Sequence, residues 1–548
     1  MTSPGEAAEE SEAQPAGRER RALDLRLLPA AAVVFAAALG AVHLPADEGW
    51  RLAGLLAATA AAAGVLAFGA GSGRWRVLGV QWVFCAVLAA AVCAQAALAV
   101  GAHEESGWAE AVESRAEMDV VLRVTEDVRP LADPGWGGQQ RILVRAVVAE
   151  AQLSGNESGA QVDAEAVLIA QVPFGTHPSW MFEAGQRYSG VVRTAPTDLG
   201  ERATALIFPD WEGMDQLPED SWSQFTGVFN ELRSATKEAS RSTVADAPGL
   251  LPGVILGDRT VMDEDLAESM HISGLSHMTV VSGTHCSLIV GALLGLIRIL
   301  RLPRWCSPVL IVLGLVLFVL LVQPAPSVIR AAVMGSIGAL AVFAGRGRTS
   351  SALLCLCVVI LLLYDPYFST EPAFQLSVTA TAGIVLTGQR MKEIFERRMP
   401  GIIAGPLALA ASSQLFVTPV LLPIAAGVNT YSIPANIAAG PLLPFVTVPG
   451  TLAAVLSTTL PWVSQALLWA AGFPAAAIAV IGRTAAGLPQ ALAPWPEGPM
   501  GAVLVLIYLT GSVVLSRLLI EGRAPRSWEA ATLAAVAGAV AAVISPRQ

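Results

Sequence analysis

The chain alternates between long apolar runs and short polar connections along most of its 548 residues. Each apolar run is close to the ~20 residues that an α-helix needs to cross the hydrocarbon core of a bilayer. The pattern predicts a polytopic α-helical membrane protein with about 13 spans, some of them re-entrant where prolines interrupt the run. These predicted spans lie near residues 27–45, 52–70, 77–101, 278–297, 305–322, 327–344, 349–364, 374–389, 402–425, 434–457, 462–482, 498–516 and 528–545.

One segment, residues 116–212, breaks the helical pattern. Its runs VVLRVTED, QRILVRAVVAE, AEAVLIAQV and YSGVVRT are β-rich and are separated by Gly, Pro and Asn. About five strands at this spacing predict an inserted small β-barrel, with an OB-like fold as the leading choice. The segment holds 14 acidic residues and 7 arginines, and its net charge of −7 disfavours a polyanionic ligand.

Two roles for the barrel therefore stay open, direct binding of single-stranded nucleic acid and packing or partner docking. Aromatic stacking platforms would serve the first role. The candidates are Trp136, Phe174, Trp180, Tyr188 and Trp211.

Residues 213–249 connect the barrel to the second apolar region. A helix over 220–245 would have one apolar and one basic face, a pattern typical of a helix lying at the membrane interface. The alternative is a soluble helix packed on the barrel. The apolar positions are Trp222, Phe225, Phe229 and Leu232, and the basic ones are Arg233, Lys237 and Arg241.

Composition agrees with the membrane class, since 54% of residues are hydrophobic, 14% are charged and the mean hydropathy is +0.58. The bias towards alanine and arginine indicates a GC-rich bacterial genome. Arginines precede the first span and separate the second from the third. The positive-inside rule therefore predicts a protein of the bacterial plasma membrane with a cytoplasmic N-terminus and an extracytoplasmic barrel.

The stretch GLSHMTVVSGTHCSLIVG places two of the six histidines at the start of the fourth predicted span. Ser282 and Gly283 interrupt the helix between His277 and His285, and we expect these four residues to line a polar cavity. A metal site formed by the two histidines and Asp258 is the weaker alternative, because this is a poor ligand signature.

Arg330 is the sharpest single residue, because a charge inside a span indicates a transport pathway or a buried partner. The neighbouring Pro324, Pro326 and Ser327 favour a broken helix whose backbone lines a polar cavity. Snorkelling of the guanidinium to the interface is the alternative.

Two further polar stretches start predicted helices on the same side of the membrane. DPYFSTEPAFQLS contributes Asp365, Gln375 and Ser377, and NTYSIPANIAAGPLLP contributes Asn436. Helix N-termini that point into a cavity offer free N–H groups to anions. Simple helix capping is the alternative for each residue.

Taken in order, these motifs resemble the ComEC competence proteins. The G-D-R, G-L-x-H and S-G-x-H signatures of that family appear in LLPGVILGDRT and GLSHMTVVSGTHC, and S-x-x-R-A appears in PSVIRAAVM. The D-P…F-Q-L-S, Q-x-x-x-x-P and P-x-N segments follow. Departures are the polar Thr284, Cys286 in place of an apolar residue, and Ala373 where glycine is common. The resemblance transfers to Gly274, His277, Ser282, Gly283, His285, Arg330, Asp365, Gln375, Ser377, Pro434 and Asn436. Gln414, in the Q-x-x-x-x-P segment, is a further candidate path residue.

The resemblance implies a non-enzymatic channel that passes single-stranded DNA into the cytoplasm during natural transformation, with no cofactor. The expected division is a cytoplasmic tail at 1–26, three transmembrane helices at 27–102, the barrel at 116–212, the connector at 213–249 and a channel domain at 250–548. Without a P-loop the chain needs other proteins to drive transport. The expected partners are a membrane DNA receptor, a cytoplasmic ATPase or DNA translocase, single-strand DNA-binding proteins, a separate nuclease and the lipid bilayer.

The nuclease is expected to be separate because the chain ends in spans, without the metallo-β-lactamase-like domain of many relatives. Two alternatives remain open. One is a membrane-embedded metal-dependent hydrolase that uses Asp258, His277 and His285. The other is a small-solute transporter or scaffold of the same architecture.

Overall fold

A computed structural model of the protein describes residues 26–69, 73–105, 107–134, 139–153, 160–173, 182–198, 200–209, 213–244, 246–303, 305–324, 326–343, 350–423, 427–496, 498–521, 526–527 and 529–534.

The first apolar region folds into three packed helices and a short fourth one. Their bounds are α1 (Leu28–Ala41), α2 (Ala46–Gly69), α3 (Gly73–Glu105) and α4 (Trp108–Glu113). Asp47 and Glu48 lie in the first turn of α2, where carboxylates oppose the positive end of the helix dipole. Gly49 lets α2 approach α3, since a Cβ at this position would lie 3.0 Å from the Cβ of Ala97.

The polar segment folds into the expected small barrel. Its strands are β1 (Glu117–Val124), β2 (Arg129–Pro134), β3 (Gln139–Leu153), β4 (Ala160–Pro173), β5 (Arg187–Pro196), β6 (Ala205–Pro209) and β7 (Asp215–Gln216). Five strands close in the order β1-β3-β4-β6-β5 and back to β1. The β4–β6 pair is parallel and the others are antiparallel, so the barrel fits an OB-like fold.

The barrel core follows the period-two alternation of its strands. Met118, Val120, Leu122 and Val124 on β1 are buried, and the residues between them face outwards or are half-buried. Trp108 of α4 is buried in the same core.

The connector contains α5 (Ser221–Ser240). Asp220 caps it, since its Oδ1 accepts the Ser223 N–H at 2.7 Å. The orientation differs from simple amphipathic burial, because Arg233 is buried while Trp222 and Phe225 are about half exposed. Ion pairs with Asp127 and Asp258 bring Arg233 and Lys237 into the protein interior. An interfacial position for α5 remains a prediction.

The second helical region contains α6 (Ala247–Leu256), α7 (Glu264–Ile272), α8 (Gly283–Ile299), α9 (Cys306–Val322), α10 (Pro326–Phe343), α11 (Ser350–Tyr364), α12 (Pro372–Gly383), α13 (Gln389–Glu396), α14 (Gly401–Leu421), α15 (Ser432–Ala439), α16 (Leu443–Leu456), α17 (Pro461–Ala486) and α18 (Gly498–Glu521). Two short strands, β8 (Gly427–Asn429) and β9 (Leu492–Pro494), pair antiparallel. A π-helical turn, Ile384–Gly388, joins α12 to α13.

Among the described residues, six helices are long and apolar enough to cross a membrane. They lie at Ala46–Ala67, Gly73–His103, Gly401–Leu421, Ser432–Leu456, Pro461–Ala486 and Met500–Leu519. The same residues contain six shorter apolar helices of 10–17 residues, which include α1, α8, α9, α11 and the Val328–Leu340 part of α10. The protein is thus a helical membrane protein with a small barrel, whereas the number of 13 spans remains a prediction. Most of the predicted last span, 528–545, lies outside the described residues.

The barrel contacts one end of the helical region. Arg202, after β5, bonds Asp365 at the end of α11 at 2.9 Å. Arg145 of β3 bonds Glu371 at the start of α12 at 3.5 Å. Asp127, after β1, bonds Gln323 at the end of α9. These three contacts put the barrel above the starts of α10 and α12.

Candidate substrate path

The start of α8 presents a buried histidine. The Nδ1 atom of His285 accepts the backbone N–H of Ser282 at 3.1 Å, and the Ser282 hydroxyl is also 3.1 Å away. A neutral imidazole that accepts at Nδ1 carries its proton at Nε2. That Nε2 atom is buried and meets no hydrogen-bond partner among the described residues. His285 thus holds an unused donor inside the helical region.

Arg330, on α10, is 4% exposed. Its Nη1 atom lies 3.4 Å from the hydroxyl of Thr381 and 3.9 Å from the sulfur of Met334. Over the described part of the chain no carboxylate pairs with it, and its Nε finds no acceptor. The guanidinium therefore does not snorkel to the surface but stays buried with spare donors.

Gly283 lets Arg330 approach the first turn of α8. A Cβ at position 283 would lie 3.1 Å from Nη2 of Arg330, closer than most real contacts of this kind. Glycine therefore leaves room for a cation beside a helix N-terminus. The N-terminus of α8 is the positive end of its helix dipole, so the electric field beside Gly283 and Arg330 favours an anion.

The first predicted histidine lies elsewhere on the same segment. His277 belongs to a short 3-10 helix, Ser276–Met278, and its side chain is exposed. Gly274, with φ of +73°, turns the chain just before it, and a Cβ there would lie 2.5 Å from the Cβ of Ser432. Only glycine fits this turn against the start of α15.

A second polar cluster surrounds that contact. The Ser432 hydroxyl is 3.5 Å from Oε1 of Gln414, whose Nε2 donates to Thr418 at 3.0 Å. Asn436 donates to the Ser432 carbonyl at 2.8 Å. The amides of Gln414 and Asn436 are therefore already engaged within the helical region.

The D-P…F-Q-L-S segment makes structural bonds. Asp365 accepts the Tyr367 N–H at 3.0 Å and pairs with Arg202. Gln375 donates to the Ser369 carbonyl at 2.7 Å, and Ser377 is half-buried on α12. Helix capping and barrel docking thus account for the first two residues. The side chain of Ser327 lies outside the described part.

The candidate metal triad is not assembled. The Asp258 carboxylate is occupied by Lys237 at 2.8 Å and by the N–H and hydroxyl of Thr260 at 2.8 and 2.6 Å. Among the described residues no group of three or more His, Cys, Asp or Glu side chains could hold a metal ion. The G-D-R motif instead forms a turn, with Gly257 at φ of +78°.

The pKa of Asp258 reflects this pairing. Burial alone would raise the pKa of its carboxyl, but the positive charges of Lys237 and Arg233 outweigh burial and lower the pKa to about 2. Asp258 is thus a charged structural anchor for α5.

One of the five candidate stacking residues of the barrel lies among the described residues. Tyr188 is buried in the barrel core, where its hydroxyl accepts the Glu183 N–H at 3.0 Å, so it offers no surface platform. The other four, Trp136, Phe174, Trp180 and Trp211, lie outside the described residues.

Sequence reasoning missed the residues that connect the two parts of the chain. Asp127, Arg233 and Gln323 join barrel, connector and helical region, and Thr381 contacts Arg330. The sequence marks Arg233 as a cation on a helix that also has an apolar face. It does not indicate the partner, because Asp127 lies 106 residues away in sequence.

Fold and site together define a polytopic helical membrane protein that carries an OB-like barrel and a buried, carboxylate-free arginine in the part of the chain that is described. Residues 254–519 match the family model described as competence protein. ComE operon protein 3 of Bacillus subtilis (strain 168) is 29% identical over 219 residues, 39% of this chain and 27% of that protein. These matches confirm the resemblance to the ComEC family of competence proteins that the motifs carry.

An uncharacterized protein of Escherichia coli (strain K12), YcaI, is 25% identical over 252 residues, 43% of this chain and 33% of its own length. The chain thus spans about a third or less of the curated relatives it matches. No solved structure matches it significantly.

Proposed function

We propose that this protein forms a path for single-stranded DNA across the bacterial plasma membrane during natural transformation. The match of residues 254–519 to the competence protein family supports a role in DNA uptake. The observation that carries the proposal is the environment of Arg330, a buried guanidinium beside the N-terminus of α8 with no carboxylate partner among the described residues.

A buried cation without a counterion is destabilising, and proteins keep such a group where function requires it. A passing phosphodiester would supply the missing negative charge and accept hydrogen bonds from the guanidinium. The Nη1 atom of Arg330 lies 3.4 Å from the hydroxyl of Thr381 and 3.9 Å from the sulfur of Met334. Both distances are long, so only weak contacts hold the arginine. Such contacts allow each phosphate to bind and then leave.

The path would begin at the barrel end and pass the starts of α8, α10 and α12. In this proposal His277, Ser282, His285, Ser327 and Ser377 line it, while Asp365, Gln375, Gln414 and Asn436 stabilise its walls. The barrel would lie outside the cell and the N-terminus in the cytoplasm. A DNA receptor, an ATPase or translocase, single-strand DNA-binding proteins and a nuclease would supply capture, energy and strand degradation.

The test compares variants in a transformable host that lacks its own copy of the gene. Protected intracellular single strands are measured after exposure to labelled duplex DNA, with membrane abundance checked by immunoblot. Arg330→Ala is expected to lower internalisation at least about tenfold, the size of one lost charged contact to phosphate. Arg330→Lys should retain part of it.

Arg298→Ala is the matched control, because Arg298 is an exposed arginine at the other end of α8. It should leave uptake unchanged. Full uptake by Arg330→Ala at normal abundance would rule out Arg330 as a path residue. If the wild-type chain restores no DNA uptake but carries a small anion, the small-solute transporter alternative is correct.

A further inference from the structure

Three elements meet at one aspartate of the barrel. The backbone N–H of Asp127 donates to Oε1 of Gln323 at 3.0 Å, and Nε2 of Gln323 donates to Oδ1 of Asp127 at 2.6 Å. Arg233 of α5 pairs with Oδ2 of Asp127 and donates to the Leu321 carbonyl at 3.1 Å. We call Asp127, Arg233 and Gln323 the Asp127 clamp. It ties the barrel to the end of α9.

Gln323 has a backbone conformation that glycine normally adopts. Its φ is +70° and its ψ is 149°, at the edge of a region that is essentially closed to residues with a side chain. Such strain persists only where the surrounding contacts hold it. The two hydrogen bonds between the side-chain amide of Gln323 and Asp127 hold Gln323 in this conformation.

The strained turn determines how α10 starts. Gln323 follows the last residue of α9, and α10 begins at Pro326, one turn before Arg330. Val322 before the turn and Val328 and Ala331 after it pack in one cluster with Cys286 of α8. A relaxed turn would shift this cluster, and Arg330 would move away from Gly283.

We infer that Asp127 is a positioning residue: through the strained turn at Gln323, docking of the barrel sets the place of Arg330 beside the start of α8. Where uptake is concerned, the inference rests on the proposed function. The barrel then acts on the path by holding a helix rather than by contacting DNA. This explains how an acidic barrel serves a path for a polyanion.

The first measurement needs no DNA. Cys286 is buried in the cluster beside the turn, so its rate of alkylation by a small maleimide reports on the packing there. The purified full chain would keep Cys286, with its other five cysteines changed to alanine. Gln323→Ala and Gln323→Gly both remove the amide, but only glycine tolerates a φ of +70°.

Gln323→Ala should therefore raise the labelling rate roughly tenfold by local opening, while Gln323→Gly should leave it near the wild-type rate. Asp127→Ala should also raise the rate, and adding Gln323→Gly should reverse most of that effect. Arg145→Ala is the control, because it breaks a barrel contact with α12 and leaves the turn intact. Equal rates for the alanine and glycine variants, or an equal rise with Arg145→Ala, would overturn the inference.

The same variants are then tested for DNA internalisation, where Gln323→Gly should restore uptake to Asp127→Ala. Labelling rates in the expected order with no uptake even by the wild-type chain would reject the proposed function and keep the clamp. Normal wild-type uptake with no rescue by glycine would reject the clamp's role and keep the proposed function. Asp127→Ala protein that does not accumulate leaves the two Gln323 variants as the deciding pair.

Discussion

At the scale of the residue, the arrangement around Arg330 depends on the absence of a side chain at Gly283. The sequence predicted both positions from the cost of an intramembrane charge and from a glycine at a helix start. It could not predict that they meet, because 46 residues lie between them in sequence and only the packing of α8, α9 and α10 brings them together. It also placed Asp365 and Gln375 on the path, with helix capping as the alternative, and their side chains are occupied by Arg202 and Ser369.

Gly283→Ala should therefore separate function from stability. The added Cβ would lie 3.1 Å from Nη2 of Arg330 and displace the guanidinium, while alanine favours the helix by up to about 1 kcal/mol. We expect several-fold lower DNA uptake with an unfolding temperature equal to or above that of the wild type. Gly291→Ala on the same helix is the control, since a Cβ at that position meets nothing within 4 Å. Equal uptake by the two variants would contradict a role for the close approach.

At the scale of the element, charges within the interior orient α5. The sequence predicted an amphipathic helix, and in the structure Arg233 and Lys237 are paired inside the protein while Phe229 and Leu232 pack against the core. Periodicity indicates which residues share a face and not which partners that face finds. Asp258 is such a partner, and its lowered pKa makes the attachment of α5 dependent on pH.

A carboxyl whose pKa is lowered on folding contributes stability above its ordinary pKa, and this contribution is lost as the pH falls towards the folded value. For Asp258 the window runs from about pH 4 down to about pH 2. Asp258→Asn should thus lower the unfolding temperature at pH 7 and lose most of this difference near pH 2.5. Differential scanning fluorimetry in detergent measures this difference in unfolding temperature.

The control is Asp119→Asn, at an exposed barrel position, which should show no difference from the wild type at either pH. A Asp258→Asn difference that stays constant with pH would refute the anchoring role of the charge.

At the scale of the whole molecule, ion pairs attach the barrel to the helical region. Arg202 lies between Glu165 of β4 and Asp365, with 2.9 Å to each carboxylate, and its guanidinium also covers the ring of Phe368 at 5.3 Å. The sequence predicted a helical membrane protein with a barrel because both periodicities are strong. The docking contacts were out of reach, since each joins residues that belong to different folding units.

Arg202→Ala should weaken this docking more than the loss of one ion pair suggests. Partial burial raises the pKa of Glu165, and the charge of Arg202 opposes that rise, so removal of Arg202 leaves a half-buried carboxylate without its bonded cation. We expect a docking loss of about 2 kcal/mol, seen as faster limited proteolysis between barrel and helices at neutral pH. The double variant Arg202→Ala/Glu165→Gln should recover part of the protection, because no charge is then left unpaired on β4.

The control is Arg193→Ala, which breaks an exposed ion pair within the barrel and should be cleaved at the wild-type rate. Equal cleavage of the single and double variants would show that Glu165 has no part in holding the barrel, and that Arg202 acts through Asp365 and Phe368 alone.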